Sequence, residues 1–253
     1  MLKRFVLILF LLSTLSVKAF DASPFNTQSA ELSQGGWWTV YAESFFDSRN
    51  KFVSPLFAEY RYTFFDKLRL GLLGGLAYAS DGESSKFGFS HLIFTNEYEI
   101  YDLDKHNYLD LAGFELVDHA NIFFNHFFGT VEDESLGFNS YSFNTGVEWQ
   151  KALGKYLGFY SELGYFQIAS ESAPTSHNFL YNNSISFEIN SWFQPYIELL
   201  GLTDFARGDT SLLLAPGISL VFDDNYYFYV NPIFNVTGSD DTWGFQIGLS
   251  GNI

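Results

Sequence analysis

The feature that most constrains how this chain folds is a strict two-residue alternation of apolar and polar side chains. The stretch YSFNTGVEW, residues 141–149, shows it clearly: Tyr141, Phe143, Val147 and Trp149 share one parity, and Glu148 lies on the other. Successive side chains of a β-strand point to opposite faces, so this stretch is predicted to be a strand with one apolar and one polar face.

The same alternation recurs along the whole chain, and no window of useful length favours a helical period. Many of the alternating runs have about nine to twelve residues, and a strand of that length tilted by about 40° crosses a hydrocarbon layer of about 25 Å. Twelve runs lie near residues 37–46, 53–65, 68–79, 87–100, 108–117, 140–150, 156–169, 178–189, 194–203, 211–222, 226–237 and 242–253.

The connectors between these runs alternate between short turns and longer or more polar loops. Residues 65–67, 190–193 and 223–225 are short connectors, whereas residues 118–139 form the longest predicted loop. Short turns on the periplasmic side and longer loops outside are typical of outer-membrane barrels. The pattern therefore predicts an all-β fold, an antiparallel up-and-down transmembrane β-barrel of about 12 strands.

The first nineteen residues have the organisation of a secretory signal peptide. Lys3 and Arg4 precede an apolar run from Phe5 to Leu15, and small residues stand before a cleavage position after Ala19. A membrane span needs roughly 18–20 apolar residues, so this run is too short to be one. We expect a cleaved signal peptide over residues 1–19, a periplasmic leader over 20–34 and the barrel over 35–253, in a protein exported to the bacterial outer membrane.

A soluble β-sandwich or soluble barrel is the alternative fold, since its strands also alternate. Such proteins expose their polar faces, which should then carry many charges, but here those faces hold mainly Ser, Asn, Gln, Gly and single Glu residues. The chain has no cysteine, so an exported fold must be held by a large core or by hydrogen-bonded closure. With 29 acidic against 13 basic residues, nucleic acid and anionic surfaces are disfavoured partners.

The register of the runs places a set of glutamates on the polar side, which faces the lumen of a barrel, and only Arg61 and Arg69 clearly oppose them. An acidic passage of low dielectric concentrates cations, and rings of carboxylates build cation-preferring pores. The alternative is a lumen filled with side chains, in which the arginines brace the glutamates. The predicted lumen acids are Glu43, Glu59, Glu97, Glu99, Glu148, Glu162 and Glu188, with Glu115 and Glu198 in the least regular runs.

The long predicted connector, residues 118–139, contains a phenylalanine-rich stretch without clean alternation: Phe123, Phe124, Phe127 and Phe128. Folded into the barrel, such a loop would form an aromatic constriction that suits small hydrophobic or cationic solutes. The alternative is that these residues extend a strand above the membrane and pack on its neighbour.

Catalytic signals are weak. Ser90 and His91 are adjacent in a predicted strand, so their side chains are expected on opposite faces and not as a nucleophile–base pair. There is no G-x-S-x-G elbow. Asp118, His119 and His126 fit no standard metal-ligand spacing. We expect neither an enzyme nor a cofactor or metal.

Three segments carry a resemblance to a known family. They are GFYSELGYF (158–166), LLLAPGISLVFDDNYYFYVNPIF (212–234) and WGFQIGLSGNI (243–253). These segments are similar to the transporter-like barrels grouped with phenol meta-pathway outer-membrane proteins, and the whole mature chain looks like a Gram-negative outer-membrane β-barrel. The resemblance implies contact with outer-membrane lipid and lipopolysaccharide and insertion by the barrel-assembly machinery. Such barrels usually end in an aromatic residue, whereas this sequence ends in Ile253.

These patterns predict a monomeric outer-membrane channel or transporter. It would take up small neutral or cationic solutes, including hydrophobic ones, by passive or facilitated passage through an acidic lumen. Two alternatives stay open: a structural or surface-receptor barrel with a plugged lumen, and a barrel-embedded lipid hydrolase.

Overall fold

The computed structural model describes residues 35–46, 52–102, 110–111, 114–115, 117–129, 140–170, 174–222, 226–237 and 243–252. The expected signal peptide and periplasmic leader, residues 1–34, lie outside the described residues, as does Ile253. Within the described part of the chain, no helix is long and apolar enough to cross a membrane.

Twelve antiparallel strands close into one barrel, which confirms the predicted architecture. Each strand pairs with its neighbours along the chain, and pairing of the first strand with the last closes the sheet. The barrel strands are β1 (Gly35–Phe46), β2 (Phe52–Phe64), β3 (Leu68–Ser80), β4 (Ser85–Asp102), β7 (His119–Phe128), β8 (Ser142–Ala152), β9 (Leu157–Ile168), β10 (Ser176–Phe187), β11 (Phe193–Asp204), β12 (Thr210–Phe222), β13 (Tyr226–Asn235) and β14 (Trp243–Asn252). A separate two-stranded sheet, β5 (Asp110–Leu111) with β6 (Phe114–Glu115), lies between β4 and β7 in the sequence.

The region between β4 and β8 differs from the expectation. The predicted barrel strand at 108–117 is wrong, because this part of the chain contains the short β5–β6 sheet. The predicted long loop over 118–139 is also wrong, because residues 119–128 form β7 and pair with β4 and β8. Phenylalanines occupy both faces of β7, so the hydrophobic alternation that marks the other strands is lost there.

The barrel is apolar outside and polar inside. In β8, Tyr141 just before the strand and Val147 within it are 44% and 38% exposed, whereas Glu148 on the opposite face is 4% exposed. Leu72 of β3 also points outward and is 52% exposed. A soluble barrel has the reverse arrangement, and so large an exposed apolar surface is typical of contact with lipid.

Two β-bulges change which side chains β4 presents. Ser90 and His91 lie together opposite a single residue of β3, since the register shifts between Gly74 and Leu76. A second shift, between Glu99 and Tyr101, occurs against β7. A bulge leaves one residue unpaired and re-aims the side chains around it, so parity along β4 is not preserved.

Candidate functional site

Two arginines and two glutamates form an ion-pair cluster inside the barrel. Arg61 Nε donates to Glu59 Oε1 at 2.6 Å, and Arg61 Nη1 lies 3.6 Å from Glu97 Oε1. Arg69 Nη1 contacts the second oxygen, Glu97 Oε2, at 2.8 Å. The side chains of these four residues are 5% to 13% exposed, so the pairs are formed away from bulk water. The cluster balances two positive with two negative charges.

A second group of polar residues continues around the barrel wall in register. Across β4, β7, β8, β9 and β10, successive backbone partners are Glu99, Asn121, Glu148, Glu162 and Asn182. We call these five residues the carboxylate belt. Within it, two glutamates stand directly opposite each other on neighbouring strands, an arrangement that destabilises a sheet when both side chains are charged.

Neutral donors support both central glutamates of the belt. Asn121 Nδ2 donates to Glu148 Oε1 at 2.7 Å, and the Tyr160 hydroxyl donates to Glu148 Oε2 at 2.6 Å. Asn182 Nδ2 donates to Glu162 Oε2 at 2.7 Å. Among the described bases, none forms an ion pair with either of these glutamates. The carboxylate belt is therefore acidic, whereas the positive and negative charges of the arginine cluster cancel.

A cavity of about 170 Å³ lies beside the belt in the lumen. Polar side chains make most of its wall, and two apolar ones complete it. The lining residues are Thr95, Glu97, Phe123, Asn125, Asn144, Glu148, Tyr160, Glu162, Leu180 and Asn182. A water molecule takes about 30 Å³, so the cavity has room for about five of them or for a small solute.

The acids predicted to line the lumen occupy several different positions in the structure. Glu59, Glu97, Glu99, Glu148 and Glu162 are buried inside the barrel. Glu43 is also internal and accepts a hydrogen bond from Gln246 Nε2. Glu188 follows the last residue of β10 and is only half-buried, so it belongs to the barrel end. Glu198 is fully buried, whereas Glu115 falls in the β5–β6 sheet and not in a barrel strand.

The four phenylalanines predicted as a constriction loop are part of a regular strand. Phe123 and Phe127 face the interior of the barrel, where they belong to one hydrophobic cluster with Phe166. Phe124 and Phe128 have the opposite parity, and Phe128 is 40% exposed. Phe123 therefore lines the lumen cavity as part of the wall, and the constriction loop itself does not exist over these residues.

The expectation that Ser90 and His91 cannot pair is wrong. Ser90 Oγ lies 2.9 Å from His91 Nδ1, because the bulge opposite Gly75 brings both side chains to one side of β4. Ser90 is only 1% exposed, and the His91 ring packs at a tilt against Phe57 with a centroid distance of 4.8 Å. A nucleophile needs access to its substrate, so this buried pair is better explained as a structural hydrogen bond at a bulge.

One group of side chains has the composition of a metal site. Glu99, Asp102 and His119 each offer a ligand atom, these atoms lie within 4.8 Å of one another, and all three residues are buried. The sequence pattern missed this group because the second bulge of β4 turns Asp102 to the same side as Glu99. Asp118, which the sequence analysis grouped with His119 and His126, instead forms an ion pair with Lys151 Nζ at 2.7 Å. His126 forms a hydrogen bond with the Tyr141 hydroxyl on the outer face.

The β3–β4 turn, at the barrel end opposite the termini, carries an exposed acid. The Asp81 carboxylate accepts hydrogen bonds from the backbone amides of Ser84 at 2.8 Å and Glu83 at 3.0 Å. These bonds favour the ionised form and lower the pKa of Asp81 below its usual value. The turn therefore keeps its negative charge at neutral pH.

Neither a protein-family model nor a curated protein matches this sequence. Solved structures do match. An outer-membrane channel from Pseudomonas putida F1 has a TM-score of 0.63 at 11% identity, over 94% of this chain and 100% of the other. The NanC porin has a TM-score of 0.59 at 10% identity, over 85% and 100%.

The KdgM porin, solved in complex with disordered oligogalacturonate, has a TM-score of 0.55 at 9% identity, over 85% of this chain and 99% of the other. Identities this low show a shared fold and nothing finer. The chain therefore has the fold of bacterial outer-membrane β-barrel porins and channels.

Proposed function

We propose that this protein is a monomeric outer-membrane channel that passes small cationic or neutral solutes through a narrow acidic lumen. The observation that carries the proposal is the carboxylate belt, in which Glu148 and Glu162 are backbone partners without an ion pair among the described residues. Carboxylates inside a low-dielectric passage attract cations and repel anions, which is how cation-preferring pores are built.

The outer-membrane location is part of this proposal. It is supported by the apolar outer face of the barrel and by the fold shared with an outer-membrane channel from Pseudomonas putida F1. Strands with an outward apolar band and a polar interior are characteristic of such barrels. The signal-peptide pattern of residues 1–19 provides the export route, and the barrel-assembly machinery and lipopolysaccharide are the expected partners in the membrane.

The size of the lumen space favours small solutes. The cavity of about 170 Å³ is bounded by Phe123 and Leu180 as well as by polar residues, so a solute must fit a short, partly apolar space. KdgM was solved with oligogalacturonate, which is a polyanion. The carboxylate belt would repel such a ligand.

Planar-bilayer recording with the purified barrel tests the proposal. We expect conductance steps with a reversal potential that favours potassium over chloride in a salt gradient. Replacing Glu148 or Glu162 by Gln should weaken that preference, because each change removes one lumen charge. Glu83→Gln, in the exposed β3–β4 turn, is the control and should leave selectivity unchanged. Chloride preference, or full selectivity in both lumen variants, would show that the belt does not set the selectivity.

A structural barrel with a plugged lumen is the second candidate, favoured by one observation. Three polar side chains face the interior and yet are 0% exposed, as they would be in a filled lumen: Glu198, Asn231 and Gln246. Small barrels fill their interior with side chains, and such a lumen conducts nothing. If correctly folded protein inserts into the bilayer and produces no steps under any voltage, this second function replaces the first.

A further inference from the structure

We propose that the lumen cavity is a binding site for one hard divalent cation such as Ca²⁺. Glu148 and Glu162 would hold the ion, together with amide and hydroxyl oxygens of the cavity wall. This inference names a ligand of the lumen already described, and it rests on the proposed function for its effect on conduction. Binding itself is measurable without any conductance.

The charge of the site calls for about two positive charges. Arg61 and Arg69 are directly engaged by Glu59 and Glu97, which leaves that cluster balanced. Glu148 and Glu162 face each other across β8 and β9, where opposite residues have Cβ atoms about 4.5–5.5 Å apart. Their described hydrogen-bond donors are neutral. A single divalent ion between the two carboxylates matches this charge.

Buried oxygens without hydrogen-bond partners point to the same ligand. Within the described part of the chain, Thr95 Oγ1, Asn144 Oδ1 and Asn182 Oδ1 have no hydrogen-bond partner, and their residues are 7%, 8% and 6% exposed. All three residues line the cavity. Asn182 gives its Nδ2 to Glu162, so its carbonyl oxygen is left to face something else. Buried acceptors left unsatisfied cost free energy, and a cation with its coordinated waters would supply partners for acceptors of the cavity wall.

The donor set and the space select the class of ion. Ca²⁺ takes six to eight oxygen ligands, including carboxylates, amide carbonyls and water. The cavity lining contains oxygen and amide groups but no histidine, and the chain has no cysteine, so soft or imidazole-preferring metals are disfavoured. With about 170 Å³ available, several waters fit beside the ion and complete its coordination.

Titration calorimetry of the folded barrel in detergent, washed with chelator and then titrated with CaCl₂, tests the site. We expect saturable binding near one ion per barrel. Glu148→Gln and Glu162→Gln should each weaken the affinity by at least about tenfold, since ligand charge sets the affinity of such sites. Glu83→Gln is the control for adventitious binding to exposed acids and should bind as the unaltered protein does. Heat-modifiable mobility on gels verifies that every variant is folded.

Absence of binding, or equal affinity in both lumen variants, overturns the inference. In the first case the cavity holds no cation, and in the second the ion binds elsewhere. Recordings in the bilayer separate this result from the proposed function. Cation-selective steps in a protein that does not bind Ca²⁺ would support the proposed channel and contradict only the proposed Ca²⁺ site. Binding of Ca²⁺ by a barrel without conductance would support the site and remove the channel.

Discussion

Glu97 and Glu162 are both buried glutamates of one cavity, yet their surroundings give them opposite roles in stability. Glu97 is contacted by two guanidinium groups, at 2.8 Å from Arg69 and 3.6 Å from Arg61. Glu162 has a neutral amide donor and stands opposite another glutamate. Neutralising Glu97 would leave buried positive charge without a partner. Neutralising Glu162 would relieve the repulsion between like charges.

We therefore expect Glu97→Gln to lower the free energy of unfolding by about 3–5 kcal/mol, the usual cost of breaking a buried ion pair by removing one partner. Glu162→Gln, measured in chelator, should be neutral or slightly stabilising. Denaturant unfolding of the refolded barrel, followed by tryptophan fluorescence, compares the two variants. Equal destabilisation by both changes would show that the charge distribution of the cluster and the belt does not matter for stability.

Within single strands, glycines make room for the lumen side chains. Gly71 of β3 faces the interior, and a Cβ atom there would collide with Thr95 Oγ1 and would lie 2.8 Å from Arg61 Cγ. At Gly74, three residues along the same strand, a Cβ atom would meet nothing nearer than Leu92 Cδ1 at 3.6 Å. Gly71 is thus required by the ion-pair cluster, whereas Gly74 is not.

Gly71→Ala is expected to destabilise the barrel by about 1–3 kcal/mol, the typical cost of overpacking. Gly74→Ala is the matched control and should be neutral, because its new methyl group is in ordinary contact distance. Unfolding midpoints in denaturant measure both. A neutral Gly71→Ala would mean that Arg61 and Thr95 move aside easily and that the cluster is loosely held.

β4 is one of the elements at which sequence reasoning failed. Strict parity predicted that Ser90 and His91 diverge and gave no reason to group Asp102 with Glu99. Two bulges changed both outcomes. A bulge depends on pairing with the neighbouring strand, which is a non-local property, so the spacing of residues in one strand cannot reveal it.

For the whole molecule, the decisive property is which face of the barrel meets lipid. Leu72 lies towards the middle of β3 and is 52% exposed, whereas Phe87 lies near the start of β4, close to the β3–β4 turn, and is 70% exposed. A soluble barrel would tolerate a charge at either exposed position. A membrane barrel tolerates it only near the interface.

Leu72→Lys should therefore lower stability in lipid vesicles by about 2–4 kcal/mol, and Phe87→Lys by no more than about 1 kcal/mol. Folding titrations into vesicles, read by fluorescence and gel mobility, give both values. If the two substitutions cost the same, the outward apolar face is not embedded in hydrocarbon as proposed.

The sequence by itself determined the class of fold and the identity of the two faces. Alternation over eleven of the twelve predicted runs coincides with barrel strands, and Glu59, Glu97, Glu99, Glu148 and Glu162 lie in the interior as their parity predicts. This succeeds because side-chain direction in a strand is a local consequence of backbone geometry.

Only the tertiary structure decided the position of β7, the bulges of β4 and the partners of the lumen acids. Which glutamate meets an arginine, and which meets a second glutamate, depends on cross-strand register around the closed sheet. The pattern within one strand decides which face each side chain takes, but the residue opposite it also depends on turn geometry and on the neighbouring strand. YSFNTGVEW could therefore place Glu148 inside the barrel but could not place Glu162 opposite it.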